Sequence, residues 1–300
     1  MFKKLKGLLS LAVCISTLCT VMPITGYAAD ENYTAKFTAE GKTVSKLFST
    51  SDEDNLLSRA VDNGFVASVE DILGVSIVNL ADYDLTGKTT VDYSADKDGS
   101  VLAWYDNASS MLYIGGYGKI VADSLRGAFY YGENINSITG IELLDTSNTT
   151  DMADMFIMCG VESKTFTLDL GDNFDTSNVT DMGRMFNRCG ESSTVFQLNL
   201  GNKFDTSKVT SMRSMFSRCG YTNTSFTLDL GDKFDTSNVT DMGNMFSQCG
   251  RSSKVFTLDL GDKFNTEKAT VMYYMFCSTG EDSDVFKELD LSGFTVNVSR

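Results

Sequence analysis

The chain has 300 residues, of which 42% are hydrophobic, so it is long enough to bury a sizeable core. It carries 25 basic and 40 acidic residues, a net charge of −15, and this charge predicts no binding to nucleic acid or to anionic lipid. The sequence contains no His, which excludes imidazole metal ligands and every catalytic pair that needs a histidine base.

Residues 1–29 have the composition of a secretory signal peptide. The basic stretch "MFKKLKG" is followed by the apolar stretch "LLSLAVCISTLCTVM" and by small residues at "GYAAD". We therefore expect cleavage near Ala28 and Ala29 and a secreted, extracellular or cell-surface location. The apolar stretch is too short to predict a transmembrane helix, and no later segment is long and apolar enough, so we expect no transmembrane segment in the mature chain.

Residues 30–96 are predicted to form a small α+β region of unknown role. "TSDEDNLLSRAVDNG" has the pattern of a capped amphipathic helix, with Ser51 as the candidate N-cap and Gly64 as the end. "YTAKFTAEGKTVSKLF" and "VSIVNLADYDLTGKTTVDYS" are typical of strands around turns. Residues 97–128 alternate apolar and polar positions and are predicted to form a β capping segment of antiparallel strands, which covers the N-terminal end of the region that follows.

Residues 129–300 repeat with a period of 30, which is marked by Met-Phe pairs at 155–156, 185–186, 215–216, 245–246 and 275–276. Each unit contains an alternating strand such as "FTLDL", a turn, a short extended piece, one or two helical turns over "MGRMFNRCG" and a variable loop. One unit cannot bury its own apolar face, whereas stacked units can. We therefore predict a mostly β repeat solenoid, leucine-rich-repeat-like, with a strand and a short helical turn in each unit.

The stretch "FDTSNVTDMGRMF", followed by Cys and an "LDL" strand, resembles the repeat of the BspA-like leucine-rich-repeat surface proteins of bacteria. The segment from "DGSVLAWYD" to "LLDTSNTTDMADMF" resembles the one that usually precedes that array, so the resemblance covers roughly residues 97–300. The chain departs from the family in its longer units, with loops such as "GESSTV", and in Thr279, which replaces the last repeated Cys. The resemblance implies a solenoid on an exported bacterial protein that binds host or microbial surfaces.

Four cysteines share one repeat position on the apolar face of the unit. Neighbouring units lie about 5 Å apart in a stack, so disulfides between them are one alternative. The other alternative, which the apolar position favours, is a row of buried free thiols. A linear row does not supply tetrahedral geometry, so we predict no metal centre there. These cysteines are Cys159, Cys189, Cys219 and Cys249.

Polar residues that point outward from successive strands are the candidate ligand-binding residues. They form two lines, which we call the outer rows: Thr167, Gln197, Thr227 and Thr257 in the first, and Asp169, Asn199, Asp229, Asp259 and Asp290 in the second. Nearby lysines and turn hydrogen bonds could simply offset the acidic charges, or Ca²⁺ could bind carboxylate oxygens. A polar ligand surface is the third alternative, and it is the one that we predict. We expect no cofactor, with Ca²⁺ kept as an alternative.

These features predict a non-catalytic, adhesion-type interaction module that binds an extracellular protein or a glycan. A structural or spacer array without its own ligand is one alternative, with self-association through an open C-terminal strand edge. A polysaccharide-active enzyme is a second alternative, because paired carboxylates can hydrolyse glycosidic bonds. We predict no enzyme, since a catalytic pair needs one unusual environment and the repeated pairs are equivalent.

Overall fold

The computed structural model describes the backbone of residues 32–39 and 42–49, and residues 57, 71–92, 98–122, 124–286, 289, 291 and 294. The predicted signal peptide, most of the predicted helix at 50–64 and the candidate residue Asp290 lie outside this part. Within it the chain is mostly β, with short 3₁₀ turns at Leu80–Asp82 and Ile141–Leu143. None of the helices described there is long and apolar enough to cross a membrane.

The strands form three sheets, with the orders β2-β1-β7-β9, β11-β10-β8-β3-β6-β5-β4 and β12-β13. Their bounds are β1 Asn32–Ala39, β2 Lys42–Ser49, β3 Gly74–Asn79, β4 Val91–Asp92, β5 Val101–Asp106, β6 Met111–Gly116, β7 Ile120–Ala122, β8 Ser137–Thr139, β9 Leu144–Asp145, β10 Thr165–Asp169, β11 Val195–Asn199, β12 Ser225–Asp229 and β13 Val255–Asp259.

Strands β3–β6 continue directly into the sheet of the first repeat strands, whereas β1 and β2 belong to a separate sheet with β7 and β9. Strands β1 and β2 form an antiparallel pair where "YTAKFTAEGKTVSKLF" predicted strands, and β5 pairs antiparallel with β6 across the "DNAS" turn. Strand β3 lies between β6 and β8 and is parallel to both. Strand β8 in turn pairs parallel with β10, the first strand of the regular units. The seven-stranded sheet is therefore mixed, and its repeat strands have neighbours on the N-terminal side.

Residues one period apart lie side by side. Strand β10 pairs in parallel with β11 at an offset of 30 residues, so that Phe166 is opposite Phe196, and β12 pairs with β13 in the same register. At the residues that precede β11 and β12, the amide of Thr224 donates to the carbonyl of Thr194 at 3.0 Å. Residues that are 30 positions apart in the sequence are therefore neighbours in the structure.

The inner face of each unit is a column of buried aromatic and apolar side chains. Along β10, Phe166 and Leu168 are fully buried whereas Thr165 and Asp169 are exposed, as strand alternation requires. A second column contains the phenylalanines of the Met-Phe pairs, whose rings stack with centroids 5.3–5.6 Å apart. The predicted inner face is confirmed, and it explains why the aromatic positions recur in every unit.

The short helical turn predicted for each unit is wrong. Arg184 and Arg188 have φ angles of 57° and 58° in the left-handed region, so a right-handed helix cannot pass through them. The amide of Phe186 donates to the carbonyl of Met215 in the next unit at 2.9 Å, not to its own unit as in an α-helix. Residues 182–189 therefore form successive turns that are hydrogen-bonded between units, and these turns bury the same apolar residues that a helix would bury.

Candidate functional site

The described members of the outer rows lie on the solvent side of strands β10–β13. Thr167 is half-buried and the others are exposed. Because neighbouring strands are paired in register, residues of the same outer row lie beside each other. The paired residues are Thr167 and Gln197, Asp169 and Asn199, Thr227 and Thr257, and Asp229 and Asp259.

Side chains of the outer rows bond to each other along the row. The Asn199 Nδ2 group donates to Asp169 Oδ1 at 2.9 Å, and the Thr257 hydroxyl contacts the Thr227 hydroxyl at 2.9 Å. Asn199 thus places an amide where the other strands of the regular units carry a carboxylate. Two carboxylates about 5 Å apart in water repel by about 0.8 kcal/mol, so the amide lowers the repulsion within the row.

The carboxylates and the amide of the second outer row also end their strands. In each case the Oδ1 atom accepts a hydrogen bond of 2.9–3.0 Å from the amide of the glycine two residues later. Those glycines have φ angles of 67–75°, a conformation that glycine adopts without strain. The row therefore has a local structural role in addition to its exposure. The glycines are Gly171, Gly201, Gly231 and Gly261.

Another row of acidic residues, which is separate from the outer rows and lies in the turns after the strands, has a structural role. Asp205 Oδ1 accepts from the amide of Ser207 at 2.9 Å. Burial acts to raise the pKa of Asp205, but the hydrogen bonds from Ser207 and the charges of Lys233 and Lys263 outweigh it and lower the pKa. The turn chemistry predicted for "FDTSN" is thus present, and it accounts for these carboxylates without a ligand.

The repeated cysteines are free and buried, as the apolar position predicted. Burial raises the pKa of all four thiols, so the reactive thiolate form is suppressed. The Cys159 thiol donates to the carbonyl of Phe129 at 3.0 Å, and the Thr279 hydroxyl donates equivalently to Phe246 at 2.6 Å. Thr279 thus preserves the hydrogen bond where the repeated Cys is lost. Among the residues that the structure describes, no group of three or more Cys, Asp or Glu side chains could hold a metal ion.

An ion-pair cluster at the start of the repeats was missed by sequence reasoning. The Asp154 side chain is fully buried, and it lies 2.6 Å from Arg184 Nε and 3.4 Å from an Arg126 nitrogen. Arg126 also contacts Asp151 at 2.8 Å and Asp181 at 3.0 Å. Burial raises the pKa of Asp151, although the charge of Arg126 opposes this shift. The cluster joins the segment before the first unit to two successive units, so its role is structural.

The only sequence signal for this cluster is a difference between units. Asp154 occupies the position where later units carry Arg184, Ser214 and Asn244. A carboxylate that replaces a guanidinium at one repeat position indicates a local ion pair, but it does not identify the partner. Arg126 lies outside the regular units, and its pairing with Asp181 crosses 55 residues of sequence.

An aromatic cluster on the outer face of the N-terminal strands was also missed. The rings of Trp104 and Tyr113 are stacked with centroids 5.3 Å apart, and Tyr83 lies 5.3 Å from Trp104 and 5.7 Å from Tyr113. Trp104 is buried, Tyr113 is half-buried and Tyr83 is exposed. Partial burial raises the pKa of Tyr83, and Tyr113 and Asp82 act in the same direction. The alternation "VLAWYD" predicts a strand, but it does not show which partners surround Trp104.

A family described as "Mycoplasma protein of unknown function, DUF285" matches the chain over residues 121–227 and 191–295. The two matches together extend from residue 121 to residue 295, which is more than half of the chain. The chain belongs to this family. The DUF285 match begins in β7 and covers the regular units, so it supports the repeat character and the bacterial origin that the resemblance implied. No curated protein and no solved structure matches the chain.

Proposed function

We propose that this DUF285 protein is an exported, BspA-like bacterial surface or secreted protein that acts as a non-catalytic interaction module. Its outer rows would bind a host or microbial surface ligand, either an extracellular protein or a glycan. The observation that carries the proposal is the exposure of the outer rows on a regular strand face. The repeated phenylalanines, by contrast, pack between units.

We also propose that residues 129–300 form one continuous solenoid. The in-register pairing of β10 with β11 and of β12 with β13 supports this architecture. So do the ring stacks that pass from unit to unit, including Phe196 on Phe226 at 5.1 Å. In a solenoid the outer rows extend along the whole array, so that one ligand can contact several units at once.

Export and the surface location are supported by the signal-like residues 1–29 and by the net charge of −15. A charge of this sign repels nucleic acid and anionic lipid, whereas neutral and cationic surface ligands are compatible with it. The proposed partners are therefore extracellular and not polyanionic.

The test is saturable binding of the purified mature protein, residues 30–300, to immobilised mucins, extracellular-matrix proteins and glycans. We expect saturable binding to at least one of these surfaces and none to a blocked, uncoated surface. The absence of saturable binding to all three classes would contradict the proposal.

A spacer array without its own ligand is the second candidate, and one observation favours it. The Oδ1 atoms of Asp169, Asn199, Asp229 and Asp259 are already used in ending strands. If this were their whole role, changes at Gln197 and Thr227, which do not end strands, would leave every surface interaction intact. Light scattering at increasing protein concentration would then show whether the array associates with itself.

A further inference from the structure

We propose that the outer-row residues of β10 and β11 and the aromatic cluster of Tyr83, Trp104 and Tyr113 form one continuous strip that binds a neutral, extended oligosaccharide. This inference rests on the proposed function, and it names the ligand class of the same face.

The strip is continuous because the seven-stranded sheet is continuous. In register, β5 joins β6 through Trp104 and Tyr113, β6 joins β3 through Ser76, and β3 joins β8 through Thr139. Strands β8 and β10 are then paired one residue before Thr139 and Asp169, so these two residues are the next positions on neighbouring strands. One row thus crosses six strands, about 24 Å at the usual strand spacing. Its members are Trp104, Tyr113, Ser76, Thr139, Asp169 and Asn199.

The aromatic end of the strip has the geometry of a stacking site. It lies on the face opposite the core, since Ala103, between Trp104 and Leu102 on β5, belongs to the buried inner cluster. Trp104, at 1% exposure, forms the floor, and Tyr83, at 39% exposure, leaves much of its ring open to solvent. Sugar rings present apolar C–H faces and peripheral hydroxyls. An exposed tyrosine offers a ring face and a phenolic hydroxyl that match both.

The remainder of the strip consists mainly of hydroxyl and amide groups. The Thr139 hydroxyl already contacts the Ser76 hydroxyl at 3.0 Å, and Thr167 and Gln197 continue the neighbouring row. Hydroxyl and amide side chains both donate and accept hydrogen bonds. Sugar hydroxyls also donate and accept, so an oligosaccharide can form hydrogen bonds with both the donors and the acceptors along the strip.

Charge distinguishes a neutral oligosaccharide from the other extended ligands. In the row across the six strands Asp169 is the one ionised residue, and Asp82 lies beside Tyr83, so a lysine-rich peptide would find few carboxylates over about 24 Å. The net charge of −15 repels acidic polysaccharides. An uncharged polyol is the ligand that complements a strip with this composition.

Trp104 provides a direct readout, because it is the only tryptophan in the chain. The purified protein is titrated with hexasaccharides of glucose, mannose and N-acetylglucosamine while the Trp104 fluorescence is recorded. A heparin hexasaccharide and hexalysine serve as the anionic and cationic comparisons. We expect a saturable change of emission with at least one neutral hexasaccharide and none with the two charged probes.

Two variants and one control locate the site. Tyr83→Ala removes the exposed ring, and Thr139→Lys places a long charged side chain in the middle of the strip. Each should weaken neutral-hexasaccharide binding by about tenfold or more, as expected for loss of a stacking partner or for steric obstruction. Tyr273→Ala is the matched control, since Tyr273 is also exposed (44%) but lies in a repeat unit outside the strip. It should bind as the wild type does.

Three outcomes would overturn the inference: no response to any neutral hexasaccharide, a response to hexalysine alone, or wild-type affinity in both Tyr83→Ala and Thr139→Lys. The Thr139→Lys variant keeps the test decisive if Tyr83→Ala fails to fold. If neutral sugars do not bind but mucin or matrix-protein binding persists and depends on Gln197 and Thr227, the oligosaccharide inference fails while the proposed function stands.

Discussion

The Thr206 hydroxyl bonds to both backbone groups of Asp235 in the next unit. It donates to the Asp235 carbonyl at 2.9 Å and accepts from the Asp235 amide at 2.8 Å. Buried threonines occupy the same position in five successive units. A single hydroxyl at this position therefore satisfies two backbone groups that the turn leaves without a partner. The members of this threonine row are Thr146, Thr176, Thr206, Thr236 and Thr266.

Thr206→Val keeps the shape of the side chain but removes the hydroxyl. We expect it to lower the free energy of unfolding by about 1–2 kcal/mol, because two partly buried backbone groups of Asp235 lose their partner. Thr227→Val, on the exposed outer row, should change the free energy of unfolding by less than about 0.5 kcal/mol. Urea unfolding of both variants measures the difference, and equal midpoints would contradict the role of the threonine row.

The buried thiols predict a loss of stability at alkaline pH. The pKa of each of the four thiols is raised in the folded chain by burial, whereas an unfolded thiol has a pKa of about 8.5. Above that pH the unfolded chain loses thiol protons that the folded chain keeps. The thiol contribution to stability is thus complete well below about pH 8.5 and declines above it, with a slope that approaches about 1.4 kcal/mol per pH unit for each thiol.

Urea unfolding between about pH 8.5 and 9.5 measures this slope. Cys219→Ala should reduce it by the share of one thiol, because the variant has one group fewer to ionise on unfolding. If the slope is unchanged in Cys219→Ala, Cys219 ionises to the same extent in the folded chain as in the unfolded chain. That result would contradict its observed burial.

At the scale of elements, the ion-pair cluster attaches the segment before the repeats to the first units. Arg126 is 14% exposed at its side chain and contacts three carboxylates, one of which is fully buried. Arg126→Ala should lower the free energy of unfolding by about 3–5 kcal/mol, since it leaves buried negative charge without one of its partners. Arg251→Ala is the matched control, because the Arg251–Glu281 pair is one-third exposed on both sides, and it should cost less than about 1 kcal/mol. Thermal unfolding that ranks the two variants equally would contradict the role of the cluster.

Strand positions and the "FDTSN" turns were predictable from the sequence, whereas the conformation of residues 182–189 was not. Phe166 and Leu168 alternate with polar residues, and alternation alone assigns them to the inner face. The turns at residues 182–189 have apolar residues at helical spacing, so the sequence predicts a helix. The left-handed conformations of Arg184 and Arg188 have no signal in residue type, since arginine rarely adopts them, and bonds between units stabilise them instead.

For the whole molecule, the sequence period predicted which residues lie side by side, and hence the outer rows. It did not predict the extension of these rows to the aromatic cluster. That extension depends on β3 lying between β6 and β8, a strand order that no repeat in the sequence indicates. Long-range pairing of non-repeated segments is set by packing of the complete chain, so it became visible only in the structure.

The outer strand face is the part of the molecule that we propose to bind the surface ligand. The most direct test compares two double variants on whichever surface the wild-type protein binds. Gln197→Lys with Thr227→Lys alters the outer rows, and Ser192→Lys with Thr222→Lys makes the same change of charge at exposed loop positions. We expect the outer-row variant to lose at least about tenfold in affinity and the loop variant to bind as the wild type does. Equal affinity of the two variants would contradict ligand binding by the outer strand face.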